Sequence, residues 1–163
     1  MESLDFESNL ETAAENFLGT YLTALEVGSI QIVSSLDQDN FSIPRIELNA
    51  QIQGADDPPK IDDAGNFQYT QYNANFLIKV ITDASDDTLI LSSGLSSGVY
   101  HRTVRRRVRQ AMLLGSTNFT DSNLPHYEVK YMRPNGDDYE VDGDLAISTL
   151  SYDIKFCIKS SSI

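Results

Sequence analysis

The sequence predicts an α+β fold: a single domain with an antiparallel sheet of about five strands and two helices packed on one face. Three observations predict it. Two stretches repeat apolar residues every three or four positions, as core-docked helices do. Several others alternate apolar and polar residues, as half-buried antiparallel strands do. Read in order they give α-β-β-β-α-β-β, an arrangement of the α+β class. At 163 residues, with 40% hydrophobic and 22% charged content, the chain fits one folded domain over 1–163 with a single core. No repeat, linker or low-complexity region divides it, and long loops are expected at about 54–66 and 83–98.

Residues 8–26 carry Leu10, Ala14, Phe17, Leu18, Tyr21 and Leu25 on one helical stripe. Ser8 and Glu11 have capping-box spacing, and Gly28 is placed to end the helix. Gly19 weakens a helix interior by ~1 kcal/mol, so a close packing partner is expected there. A short strand over 29–34 leads into the polar turn Asp37-Gln38-Asp39-Asn40. From Arg45 to Gln53, Ile46, Leu48, Ala50 and Ile52 alternate with polar residues, behind Pro44 at a position that needs no ladder donor.

Residues 54–66, with Gly54, Pro58, Pro59 and Gly65, read as a loop. A strand over about 67–82 then sets Ala74, Phe76, Ile78 and Val80 on one face. The serine-rich 83–98 segment precedes a second helix that Gly115 should end. Pro125 introduces a strand with Tyr127, Val129 and Tyr131 on one face. Asn135-Gly136 has the chemistry of a hairpin turn, which makes Asp137 to Asp144 an acidic connection. The last strand points Leu150, Tyr152, Ile154, Phe156 and Ile158 inward and Ser151, Asp153, Lys155, Cys157 and Lys159 outward. Ile147 is out of phase with that set, which suggests a bulge.

The second helix organises the functional reading. Residues 98–114 hold five of the seven arginines, no acid and no lysine, in a chain of net charge −12. At about 100° per residue, Val104, Val108, Ala111 and Met112 share one face, with Tyr100 and His101 at its edges. Arg102, Arg105, Arg106 and Arg109 form a ridge beside it, and Arg107 lies on the other flank. The apolar face anchors the ridge, so this is a rigid cationic surface. Its partner is expected to be acidic protein surface, on this chain or on another, because arginine binds carboxylates in a bidentate fork.

Other chemistry is poorly served. The acidic balance opposes coating of nucleic acid, although the arginine helix keeps a nucleic-acid-binding module open as an alternative. The single Cys157 permits no internal disulfide and no thiolate cluster. His101 and His126 are the only histidines, and neither pairs in sequence with a nucleophile. Acidic pairs, with Asp137 to Asp144 the best placed, raise a metal-dependent hydrolase, yet none has the spacing of a calcium loop. The 93–98 segment lacks the lysine of a phosphate-binding loop. The expectation is therefore no enzyme, no cofactor and no metal. No apolar run approaches the ~20 residues of a membrane span, and the acidic start has the wrong sign for a signal or transit peptide.

The order of elements resembles the tail-terminator and tail-completion (neck) proteins of tailed bacteriophages. The residues that carry the resemblance are Gly98-Val99-Tyr100-His101-Arg102 opening a helix that runs on through Val104 to Met112, the strand start Leu124-Pro125-His126-Tyr127-Glu128-Val129, and the final strand from Leu150 to Phe156. The resemblance implies a structural virion protein of the tail or neck, present in host cytoplasm during assembly. It implies a self-assembling ring, commonly a hexamer, that caps the tail tube protein and meets the head-neck connector proteins, with no membrane and no specific nucleic acid as partner. It carries no catalytic residues. Other neck or baseplate roles fit the same pattern. On this reading Arg102, Arg105, Arg106 and Arg109 are expected to make contacts between subunits or from ring to tube.

Overall fold

A computed structural model describes residues 5–23, 30–34, 43–55, 60–61, 67–69, 71–84, 97–118, 124 and 126–158. In chain order the elements are α1 (Phe6–Thr23), β1 (Gln31–Ser34), β2 (Arg45–Ala55), β3 (Lys60–Ile61), β4 (Phe67–Tyr69), β5 (Gln71–Asp83), α2 (Ser97–Asn118), β6 (Tyr127–Asp142) and β7 (Leu145–Ile158). The main sheet has the order β1-β2-β5-β7-β6, and β3 and β4 pair as a separate small hairpin. The fold is α+β, with α1 and α2 over one face of the main sheet.

Pairing of β2 with β5, β5 with β7 and β6 with β7 is antiparallel. The short edge strand β1 instead lies parallel to β2, making the sheet mixed. Four residues are too few for a side-chain pattern to distinguish the two directions. The alternation read for β2, β5 and β7 is realised: Leu48 faces Ile78, and Ile78 faces Leu150 across the ladder. These residues, with Ile46, Phe76, Val80, Ile154 and Phe156, form one core with both helices.

The first helix begins earlier than its sequence spacing suggested. Asp5, not Ser8, is the N-cap: its carboxylate accepts the Ser8 amide at 3.2 Å and its carbonyl accepts the Asn9 amide at 3.0 Å. Phe6 thereby enters the helix and stacks on Phe156 with ring centroids 3.5 Å apart. Tyr127 meets both rings edge-on. Glu11, released from capping, accepts hydrogen bonds from the Ala50 amide at 3.0 Å and the Ser34 hydroxyl at 2.8 Å. Glu7 accepts the Ile52 amide at 2.7 Å. Pairing with β1 stops at Leu48, so two helix carboxylates satisfy edge amides that β1 does not reach. Among the described residues the nearest atom to a Cβ added at Gly19 is Ile32 Cδ1, at 3.9 Å. Leu25, Gly28 and the 37–40 turn lie outside the described residues.

Other expectations change as well. Part of the 54–66 loop is strand, in β3, while most of the 83–98 segment lies outside the described residues. The second helix continues past Gly115 to Asn118. Asn135-Gly136 is not the hairpin turn: it lies inside β6, where the register slips between Pro134 and Asp137 and Gly136 adopts φ 93°. The turn is at Gly143-Asp144, with Gly143 at φ 59°, so Asp137 to Asp142 is strand rather than connection. A positive-φ glycine serves a bulge as well as a turn, and pairing along the whole of β7 decides between them. The suspected bulge at Ile147 is absent, since β7 pairs with β5 without a slip. A second slip in β6, between Val129 and Tyr131, turns Tyr131 away from the core. Met132 packs against the core in its place.

Candidate functional surface

The arginine helix docks as its spacing requires, with Tyr100, Val104, Val108, Ala111 and Met112 buried. Its ridge leans toward β7 and β6. Arg109 forms an ion pair with Asp137, both side chains being roughly 40% exposed at 41% and 37%. Arg105 donates to the Ser148 hydroxyl at 3.4 Å, and its guanidinium lies 5.9 Å from the centre of the Tyr139 ring. That distance is the outer limit of a cation–π contact. Arg102 and Arg106 are exposed and make no ion pair among the described residues. Together with Thr103, the four ridge arginines line an open concavity of about 440 Å³.

The structure therefore divides the four predicted arginines. Arg105 and Arg109 are held by this chain's own β7 and β6, and Arg102 and Arg106 point to solvent. Asp137 could not be recognised as a partner from sequence, because it was expected on a loop. The β6 bulge puts it opposite Leu150, on the helix side of the sheet. Tyr139, two residues on, shares that side and remains 54% exposed, as does Val141 at 58%. On the other flank of α2, Arg107 donates to Gln110, while its Nε is buried without a partner among the described residues.

His101 lies beneath this surface and is 3% exposed. Its Nδ1 is 2.7 Å from the Thr82 hydroxyl and its Nε2 is 2.7 Å from the Ser148 hydroxyl. The Tyr139 ring meets the imidazole edge-on at 5.6 Å. Burial, then the charges of Arg105 and Arg102, push its pKa down to about 4. The ring is neutral at pH 7, one nitrogen donating and the other accepting. A Ser–His pair at 2.7 Å has the distance of a catalytic dyad. However, Ser148 is fully buried, and an imidazole with so low a pKa is a weak base near neutrality. This triad is a packed polar cluster that ties α2 to β5 and β7.

The remaining candidate groups are also placed by packing and strand register. Cys157 faces away from the helices as read, yet it is buried. Its pKa is raised, first by burial and further by Glu128, whose carboxylate is 3.8 Å away, against the opposing charge of Lys130. Desolvation outweighs the lysine. The β pleat splits the acidic run, with Asp137 toward Arg109 and Asp138 opposite Thr149. Among the described residues no three histidine, cysteine or acidic side chains gather as a metal site. A second concavity, of about 380 Å³, borders the β1–β2 edge and is lined by Asp5, Glu7, Glu11 and Glu15 among others. Sequence reasoning missed it, although Glu7, Glu11 and Glu15 stand at four-residue spacing on α1.

Comparison with known proteins gives a likeness in fold only. No family model matches the chain, and no curated protein matches it. Among solved structures, a chain described as "Virion of native gene transfer agent (GTA) particle" aligns at a TM-score of 0.55 and 15% identity. The alignment covers 90% of this chain and 93% of that one. Another solved chain aligns over 93% of this protein at 13% identity with a TM-score of 0.45.

Proposed function

We propose that this protein is a structural component of a phage-like virion, a tail-terminator or tail-completion protein that works as an oligomeric ring. The observation that carries the reading is the shared fold, which aligns over nine-tenths of this chain and of a chain from a gene transfer agent virion. The surface chemistry supports it. His101, Ser148 and Cys157 are buried in packing roles, whereas charge is concentrated on exposed side chains. Arginine ridges and acidic rows on rigid elements suit specific protein–protein contact.

In this role the ring caps the tail tube, commonly with six subunits, and presents its other face to the head-neck connector. The net charge of −12 keeps passing DNA from adhering. Arg102, Arg105, Arg106 and Arg109 lie at contacts between subunits or from ring to tube. Light scattering on the purified protein, with negative-stain images with and without tail tubes, tests the proposal. Rings, and density capping tube ends, are expected. A monomer at all concentrations together with bare tube ends would overturn it.

A further inference from the structure

Two concavities of opposite charge lie on opposite flanks of the helical layer. The acidic one borders β1 and β2, through Ser34, Leu48 and Ala50, and carries Glu7, Glu11 and Glu15. The basic one is built from the α2 ridge, which reaches toward β7 and β6 through Arg105 to Ser148 and Arg109 to Asp137. In the order β1-β2-β5-β7-β6 these are the two ends of the sheet. Three strand spacings separate β2 from β6, roughly 14 Å, and among the described residues neither Arg102 nor Arg106 forms an ion pair with Glu15 of its own chain.

Parts of both sheet margins are also poorly suited to strand addition. On β2, Glu11 and Glu7 occupy the amides of Ala50 and Ile52. On β6, two register slips, Pro134 and a row of charged side chains disrupt the outer edge. Such features discourage pairing with a second sheet at these positions and favour side-chain contact across the helical layer.

We infer that copies of this chain associate head to tail, the Arg102–Arg106 side of one α2 docking against the Glu7–Glu15 side of the next copy's α1. The inference rests on the ring reading and specifies its interface. The two surfaces are different patches on different elements, so the contact is heterologous, and a heterologous contact closes into a ring when its rotation permits. Arg102 and Arg106 are the exposed arginines of the ridge, and Glu15 is the exposed acid of the row. Arg105 and Arg109, already engaged within the chain, hold the ridge in place.

The test is a charge swap on exposed positions. One variant carries Arg102→Glu and Arg106→Glu; the other carries Thr12→Lys and Glu15→Lys, which leaves the edge-capping Glu7 and Glu11 intact. Circular dichroism and thermal unfolding check that each retains the fold, and light scattering across a concentration series reads assembly. Each variant alone is expected to assemble at least about tenfold more weakly than wild type, and wild-type assembly to weaken with salt. Mixing the two, or combining all four substitutions in one chain, is expected to restore assembly, because each reversed surface then meets its complement. Rings that survive both reversals would overturn this interface while leaving the ring reading standing. Loss without restoration would equally overturn the pairing of these two surfaces. Absence of any wild-type assembly would remove the ring reading itself.

Discussion

Protonation of His101 should be opposed by the fold, and the resulting loss of stability in acid can be worked from the structure. The imidazole is held neutral among Thr82, Ser148 and Tyr139 with Arg105 and Arg102 nearby, and its pKa is about 4. In the unfolded chain a histidine titrates near 6.5. Above pH 6.5 neither state binds the proton and the full stability is present. Between 6.5 and about 4 the unfolded state takes up the proton and the folded state does not, so stability falls as pH falls. At about 1.4 kcal/mol per pH unit the loss reaches about 2 kcal/mol by pH 5 and about 3 kcal/mol by pH 4. Carboxylates titrate in the same range, so the measurement is a difference. Urea unfolding of wild type and His101→Gln from pH 7.5 to 4 should give a gap that is constant above pH 7 and changes by those amounts below it. NMR titration, with His126→Gln to assign the two imidazole signals, should show His101 unprotonated at pH 5. A His101 signal that titrates near 6.5, or a pH-independent gap, would refute the reasoning.

Other perturbations follow from single contacts. Glu11→Ala removes the acceptor for the Ala50 amide and the Ser34 hydroxyl. It should destabilise by about 2 kcal/mol, the scale of hydrogen bonds to a half-buried charge, with Glu11→Gln retaining roughly half; chemical denaturation checks both, and a wild-type midpoint for the alanine would show that these bonds contribute nothing. Gly19→Ala should stabilise α1 by about 0.5–1 kcal/mol, since among the described residues the new methyl meets Ile32 Cδ1 at ordinary contact distance. A lowered melting temperature would reveal crowding there. Cys157 is buried and its pKa is raised, so a thiol-reactive probe at pH 8 should label the native protein at least about tenfold more slowly than the urea-unfolded chain. Equal rates would mean the thiol is accessible.

Much of the architecture was legible because it depends on local periodicity. The alternation of Ile46, Leu48 and Ala50, of Phe76, Ile78 and Val80, and of Tyr152, Ile154 and Phe156 specifies the buried face of each strand before any pairing is known. The 3.6-residue spacing of Val104, Val108 and Met112 likewise specifies which side of the arginine helix is solvent. Where local chemistry had two uses, it misled. Asn135-Gly136 and Gly143-Asp144 both favour a turn, and only the length of β7 selects the second. Glu11 stood at capping distance from Ser8, yet an open edge amide 39 residues away is its hydrogen-bond partner.

The sequence by itself determined an α+β domain with one apolar face on each helix and a dense cationic ridge opposed by an acidic remainder. Tertiary structure alone decided how that ridge is used. A bulge in β6 turns Asp137 toward Arg109, and β7 brings Ser148 beneath Arg105, so two of the four arginines are engaged within the chain and Arg102 and Arg106 are not. Strand order decided that the acidic row of α1 lies at the far end of the sheet from them. The physical reason is that periodicity assigns a residue to a face, while charge pairing depends on distances set by register and strand order, which no local pattern encodes.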